Sequence, residues 1–264
     1  MVTMEPQAYM KRMGYFFDSF IKTQEEKEKT LKNVIIEHEK KYRNNLNSFF
    51  EILNYKTEVF KQIKSESDKR LSSDFSTFHF INTDELMLSQ LLALCLDPSG
   101  NHGQGANFLI ELFKILKIEV EIPQSKKKVR VLREYPTDNG RFIDIVIEVD
   151  SNAIVGIENK PFVEEMHNQV GDYITFLESK VNDQHFEEYY FIFLHKTGNR
   201  PVSIDIEKRN RLEEEGNLHT LSYHTNMKNI ITKFYQICES DRFRYFLQDY
   251  IGYINDTFQG GDSG

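Results

Sequence analysis

The sequence predicts an α/β fold, in which helices flank a mixed central sheet and a long helical arm precedes it. Two observations predict this fold. In the second part of the chain, segments of helical and strand periodicity follow one another as helix, three strands, helix and strand. Before them, residues 23–66 contain neither Gly nor Pro and carry a helical apolar pattern. The 264 residues suffice for one large domain or a core domain with an appendage.

The predicted arm has one apolar face, which we call the apolar stripe. Its members recur at steps of three and four residues, close to heptad spacing: Leu31, Ile35, Tyr42, Leu46, Phe49, Leu53, Phe60 and Ile63. Such a stripe either packs on the chain's own domain or forms the seam of a homo-oligomer or of a complex with a partner protein. A polar, Ser-rich stretch at residues 70–83 marks the boundary. We therefore predict a helical arm at 1–75 and an α/β domain at 76–264.

The elements of the second region follow from local patterns. "DELMLSQLLALCLDPSG" predicts a helix ended by Asp97-Pro98, "NHGQG" a loop, and "ANFLIELFKILKI" a second helix. "KKKVRVLREY", "RFIDIVIEV" and "AIVGIEN" predict three strands. "VEEMHNQVGDYITFLESK" predicts a helix, "EYYFIFLH" a buried strand and "LHTLSY" a short one. Two amphipathic helices end the chain, with apolar stripes at Ile230, Phe234, Ile237 and at Phe243, Phe246, Leu247, Tyr250, Ile254.

Composition excludes several classes of protein. Two scattered cysteines, Cys95 and Cys238, exclude a zinc finger or ribbon and indicate buried thiols in a reducing compartment. There is no Walker A loop and no G-x-S-x-G motif. No apolar run is long enough for a leader or a membrane span, so we expect a soluble cytoplasmic protein without a membrane partner. Residues 1–75 carry a net charge of +2 and the rest −10, which argues against passive binding of a polyanion.

The chemistry is concentrated in two neighbouring strands, within "RFIDIVIEVDSNAIVGIENKP". Alternation places Ile143, Ile145, Ile147 and Val149 on one face of the first strand, and Asp144 on the other. A turn near residues 150–152 brings Asp144 beside Glu158, which shares a face with Lys160. Two adjacent carboxylates repel each other unless a cation lies between them, and a hard divalent ion such as Mg²⁺ meets this need. The ammonium can orient a water nucleophile or neutralise negative charge on a phosphate.

This pattern of Asp144, Glu158 and Lys160 resembles the PD-(D/E)XK nuclease superfamily, whose core is helix, three-stranded meander, helix and strand. The chain is similar to a bacterial family of that superfamily through "LLALCLDPSGNHGQGANFLIELF", "REY…GRFIDIVIE" and "IENKP", followed by a helix with Gln and Tyr. The likeness covers about residues 80–200. The proline of the superfamily's name is replaced by Ile143. The resemblance implies a restriction-endonuclease-like fold.

The resemblance also implies roles for single residues. Asp144 and Glu158 would be metal ligands, with the Asn159 carbonyl as a candidate third, and Lys160 the catalytic lysine. Glu85, on the first core helix, would complete the metal site; an exposed charge behind a capping Asp84 or Thr83 is the alternative. Gln169 would position the phosphate or the attacking water, and Tyr173 shares its helix face. The ordinary polar face of an amphipathic helix explains these two equally well.

Other features have two interpretations each. His102, in the "NHGQG" loop, either braces that loop or contacts substrate. The basic patch at residues 126–133 either follows a phosphate backbone or is a solvated strand edge.

Taken with the resemblance, the sequence predicts a Mg²⁺- or Mn²⁺-dependent nuclease acting on DNA, or alternatively RNA, in bacterial defence or DNA processing. The alternative from another class is a catalytically silent, nuclease-like scaffold that acts through its N-terminal helix.

Overall fold

A computed structural model describes residues 6–72, 75–123 and 128–258. Contacts within the chain divide it into two units, Met1–Phe75 and Ser76–Gly264. Each unit is described by itself below. None of the helices in the described ranges is both long and apolar enough to cross a membrane.

The first unit contains one helix, α1, from Pro6 to Leu71. Its 66 residues correspond to a length of about 100 Å at the usual helical rise. The absence of Gly and Pro between residues 23 and 66 allows the backbone hydrogen bonds to continue without a break. All eight side chains of the apolar stripe are exposed, from 39% for Leu46 to 67% for Phe60. The stripe therefore remains in contact with solvent in the single chain.

The second unit contains a five-stranded sheet in the order β1-β2-β3-β4-β5. Its strands are β1 (Val129–Pro136), β2 (Phe142–Val149), β3 (Ala153–Lys160), β4 (Glu188–His195) and β5 (Leu218–Ser222). The first three form an antiparallel meander, β4 pairs parallel to β3, and β5 pairs parallel to β4. The β2–β3 turn is tight because Asp150 adopts the left-handed conformation, with φ of 49°. This is the mixed sheet that the sequence predicts.

Helices cover both faces of this sheet. They are α2 (Glu85–Leu96), α3 (Asn107–Leu116), α4 (Gln169–Asn182), α5 (Ile206–Glu215), α6 (Lys228–Ile237) and α7 (Asp241–Phe258). Residues of α2, α3, α6 and α7 pack with Ile145, Ile147 and Ile157 in one core cluster. Residues of α4 and α5 pack with Val146 and Ile154 in the other. Every residue of β3 is buried as a result, which explains why this strand is apolar on both faces. The predicted fold class, with helices flanking a mixed sheet and a long helix preceding it, is confirmed.

Three local predictions need correction. Ile143 packs in the cluster of Val146, and not with Ile145, so alternation fails at the start of β2. Helix α4 begins at Gln169 and not near Val163, because Asn168 takes the left-handed conformation (φ 56°). Helix α5 was not predicted, since its sequence is mostly charged and buries only Leu212.

His102 and the two cysteines are buried and have structural roles, which is one of the interpretations that the sequence offers for each. His102 is buried; its Nε2 lies 2.9 Å from the Asp97 carbonyl oxygen, and its Nδ1 accepts the Gln104 N–H. The ring therefore braces the loop between α2 and α3. Cys95 and Cys238 are both buried and free, as expected of structural thiols.

Candidate active site

The sheet opens at the point where the predicted site residues lie. The β2–β3 register ends with the pair Ile145 and Ile157. Beyond it, the Asn159 N–H donates to Oδ2 of Asp144 over 2.7 Å. A side-chain carboxylate thus takes the amide hydrogen bond at the end of the pairing between strands, which holds Asp144 against the end of β3.

The two carboxylates of Asp144 and Glu158 meet at this opening. Glu158 is 1% exposed, and Asp144 is half-buried. Burial raises the pKa of Asp144, although the Asn159 N–H and Lys160 oppose the rise. Burial and then the charge of Asp144 raise the pKa of Glu158. Excess negative charge therefore falls on this pair, which favours a proton or a cation beside it.

Lys160 connects the carboxylate of Glu158 with Glu85 of helix α2 through ion pairs. Its Nζ lies 2.8 Å from Oε1 of Glu158 and 2.8 Å from Oε1 of Glu85. Burial disfavours the ammonium, but the charge of Glu158 and the hydrogen bonds to both carboxylates outweigh it, so the pKa of Lys160 is raised. The ammonium is thus held in its charged form between two acids.

Glu85 reaches the site because α2 begins directly before it. Asp84 caps the helix by accepting the N–H of Met87, so the capping role expected of Asp84 is confirmed. The Glu85 side chain is 28% exposed and contacts Lys160. It is therefore not a free surface charge, and it lies near enough to Asp144 and Glu158 to raise their pKa values.

Asn159 is fixed by two partners that the sequence did not reveal. Its Nδ2 donates to Oγ of Ser89 over 2.9 Å, and its Oδ1 accepts the hydroxyl of Tyr223 over 2.7 Å. Its side chain is fully buried. Because the side-chain oxygen is already used, the main-chain carbonyl is the group of Asn159 left to bind a cation. Ser89 lies one helical turn after Glu85, and this spacing is the one signal that could have pointed to it.

The side chain of Gln169 is hydrogen-bonded to the carboxylate of Glu158 and is not directed to solvent. Its Nε2 donates to Oε1 of Glu158 over 2.6 Å and to the hydroxyl of Tyr173 over 3.1 Å. Its Oε1 accepts the N–H of Met166 over 2.9 Å. Tyr173 donates in turn to the carbonyl of Phe142 over 2.7 Å. The two residues share a buried face, as predicted, and this network fixes the position of Glu158.

The donor atoms fit a hard divalent cation in part. Within the described ranges, no three His, Cys, Asp or Glu side chains form a ready group of metal ligands. Glu85 accepts a hydrogen bond from Lys160, and the ligand set of Glu85, Asp144, Glu158 and Asn159 stays a prediction. Oε2 of Glu158, however, is buried and lacks a hydrogen-bond partner in the described part of the chain. An unpaired carboxylate oxygen beside a second carboxylate is a suitable site for Mg²⁺ or Mn²⁺.

Comparison with known proteins agrees with this geometry. A family model for the PD-(D/E)XK nuclease superfamily matches residues 75–251. Searches of the curated proteins and of the solved structures gave no significant match. The matched segment contains all of β1 to β5 and more than half of the chain. The chain therefore belongs to the PD-(D/E)XK nuclease superfamily.

Proposed function

We propose that this protein is a nuclease that hydrolyses phosphodiester bonds with Mg²⁺ or Mn²⁺, and that DNA is its main substrate. One observation carries the proposal. Three carboxylates and one lysine, separated by up to 75 residues in sequence, meet in one buried cluster where β2 and β3 part. Structural ion pairs rarely need three acids for one base, because the surplus acids are costly to bury.

Each side chain has a role in this proposal. Asp144, Glu158 and the main-chain carbonyl of Asn159 would hold the ion, with Glu85 as an additional ligand. When bound, a divalent ion supplies positive charge that stabilises the negative charge growing on the phosphate. Lys160, once Glu158 is shared with the ion, is free to orient the attacking water or to contact the phosphate. Gln169 acts as a positioning residue, because it holds Oε1 of Glu158.

Cleavage of defined substrates tests the proposal. Plasmid, linear duplex, single-stranded DNA and RNA are incubated with full-length protein and Mg²⁺, Mn²⁺ or EDTA. We expect divalent-dependent cleavage that is abolished in Asp144→Ala, Glu158→Ala and Lys160→Ala. Lys208→Ala is the matched control, because Lys208 is also ion-paired (2.7 Å to Glu178) but lies on α5. Equal cleavage by Lys160→Ala and the wild type would exclude the role assigned to Lys160. Absence of divalent-dependent cleavage by the wild type would favour the silent scaffold.

The exposed apolar stripe of α1 supports a second role, association with a second copy of this chain. Eight large side chains that are about half exposed leave on the order of 800 Å² of apolar surface per chain, so two copies would bury about 1,600 Å², a standard interface. We expect the full-length protein to sediment as a dimer. The double variant Leu46→Glu and Phe49→Glu should be monomeric, whereas Asn47→Glu should not. A monomeric wild type would contradict this role.

The biological role follows from the resemblance alone. Bacterial nucleases of this superfamily suggest defence or DNA processing, and cleavage assays in cells challenged with phage or plasmid would separate the two.

A further inference from the structure

A small cavity of about 190 Å³ lies beside the candidate active site. Lys160 forms part of its wall, together with residues of the segment that follows β4. The parallel register pairs Lys160 with His195, so these two side chains lie on the same face of the sheet. The cavity therefore adjoins the predicted cleavage site.

One ring nitrogen of His195 has no hydrogen-bond partner among the described residues. Its side chain lines the cavity and is 7% exposed. Nδ1 accepts the N–H of Thr197 over 3.3 Å and the N–H of Asn199 over 3.2 Å. Because Nδ1 accepts, the ring hydrogen must be on Nε2. Among the described residues, the hydrogen bonds of His195 all go to Nδ1. Nε2 is not one of the buried atoms that lack a partner, so its N–H reaches solvent and is open to a ligand in the cavity.

Lys196 is the charge in the cavity wall that favours an anion, and its side chain is exposed. Lys160 also lines the cavity but is paired with Glu85 and Glu158. Glu164 also lines it and opposes an anion, whereas Glu165 is occupied by the N–H groups of Val202 and Ser203. The volume corresponds to about six water molecules at ~30 Å³ each, well below that of a drug-sized pocket. This size is sufficient for a single phosphate group.

We propose that this cavity is a subsite for a nucleic-acid phosphate next to the scissile one, with Nε2–H of His195 as a donor and Lys196 as a counter-charge. The proposal rests on the proposed nuclease function for the identity of its ligand. It makes His195 a substrate-binding residue on the fourth strand. The subsite would fix the backbone of the substrate and so place the scissile phosphate at Lys160.

Two variants of His195 separate binding from loop support. Asn retains an oxygen near the place of Nδ1 and can accept the loop N–H groups, but it lacks the distal donor. Gln places an amide nitrogen near the place of Nε2 and lacks the proximal acceptor. Affinity is measured with inorganic phosphate by calorimetry and, separately, as kcat and KM with a fluorescent oligonucleotide. The full-length protein is used throughout, and thermal melts verify folding.

We expect His195→Asn to weaken phosphate binding on the order of ten- to a hundredfold, because a hydrogen bond to a charged group is lost. KM should rise by a similar factor while kcat changes less. His195→Gln should retain most of the affinity. Glu164→Gln should strengthen phosphate binding roughly two- to fivefold, by removing a nearby like charge. Lys196→Ala, a change of an exposed side chain, should weaken it and gives a readout independent of the buried ring.

The reverse order, with Asn tolerated and Gln impaired, would show that His195 only supports the loop and would overturn the subsite. Unchanged affinity in both His195→Asn and Lys196→Ala would also overturn it. His195-dependent phosphate binding without any cleavage would support the subsite and contradict the nuclease function, so the two proposals fail separately.

Discussion

Replacing Glu158 by Gln should stabilise the metal-free protein, which is an unusual result for a buried charged residue. Oε1 of Glu158 already accepts from Lys160 and Gln169, so an amide oxygen fits in its place. The amide nitrogen then takes the position of Oε2, which is buried and without a partner. Asp144 lies within hydrogen-bonding reach to accept from it.

The size of this effect follows from the charges around Glu158. Burial and repulsion from Asp144 together outweigh the charge and hydrogen bond of Lys160, since the pKa of Glu158 is raised, so replacing the carboxylate by a neutral amide does not destabilise the cluster. Lys160 also retains Glu85 at 2.8 Å. Satisfying one buried polar atom stabilises by about 1–3 kcal/mol. At about 2–4 °C per kcal/mol for a domain of this size, the Tm should rise by roughly 2–12 °C.

Divalent cations should make the wild type more stable than Glu158→Gln. Wild type at a cation concentration of about 100 Kd gains roughly 2.7 kcal/mol, since the ion binds only the folded state. Glu158→Gln should gain much less from Ca²⁺ or Mn²⁺. The assay is thermal unfolding of both proteins in EDTA and across a millimolar series of each ion, together with Ca²⁺-supported binding of a non-cleaved oligonucleotide.

A control shows whether the effect belongs to the site. Glu148 is also a buried carboxylate on β2, but it is ion-paired with Arg130. Glu148→Gln should therefore lower the Tm and leave the response to cations unchanged. If Glu158→Gln melts below the wild type in EDTA, the crowded-carboxylate argument is wrong. If the wild type and Glu158→Gln melt identically across the ion series, there is no metal site, and the interpretation of the protein as a catalytically silent scaffold is preferred.

Three further predictions concern other buried groups. Tyr223→Phe should lower the free energy of unfolding by about 1–3 kcal/mol in urea titrations, because Oδ1 of Asn159 loses its donor in a dry site. Burial raises the pKa of Cys95 to about 12, so thiol reagents should label it only at the rate of unfolding; fast labelling of the native protein would contradict its burial. Burial lowers the pKa of His219, so its protonation favours the unfolded state and stability should fall as the pH drops below its ordinary pKa of about 6.5. His219→Gln should flatten this part of the stability curve, and an unchanged curve would refute the assignment.

Patterns of short range predicted the fold well. The alternation of β2 and β3 and the tight turn between them were enough to place Asp144 beside Glu158. Helix α5 was not predicted because it buries one leucine, so its sequence has almost no periodic pattern of apolar residues. The start of α4 was placed too early because residues 163–168 contain neither Gly nor Pro. The helix begins only after Asn168, which takes the left-handed conformation.

The environment of the site was less predictable because it depends on contacts across long sequence separations. Lys160 meets Glu85 across 75 residues, and Asn159 meets Ser89 and Tyr223 across 70 and 64. Periodicity can place each residue on a face, but it cannot show which faces come together. The hydrogen bond from Gln169 to Glu158 could not be predicted for the same reason, and a role of Gln169 toward phosphate or water stays a prediction.

The acidic character of the second unit leaves few places where a polyanion can bind, and this makes the path of the substrate testable. Lys126 and Lys127 of the basic patch lie outside the described residues. Lys128 is paired with Asp150, and Arg130 with Glu148, so these two charges are already neutralised. We therefore expect the substrate to depend on the cavity at Lys196 and not on the Lys128 end of β1.

Salt dependence distinguishes these two surfaces. Each phosphate contact contributes about 0.7–0.9 to the slope of log K against log salt concentration. In Ca²⁺-supported oligonucleotide binding, Lys196→Ala should reduce this slope by about that amount, and Lys128→Ala should leave it unchanged. The two variants remove the same charge, so a difference between them reports position alone. A reduced slope in Lys128→Ala would place the nucleic acid along β1, and the solvated-edge interpretation of this patch would then be wrong.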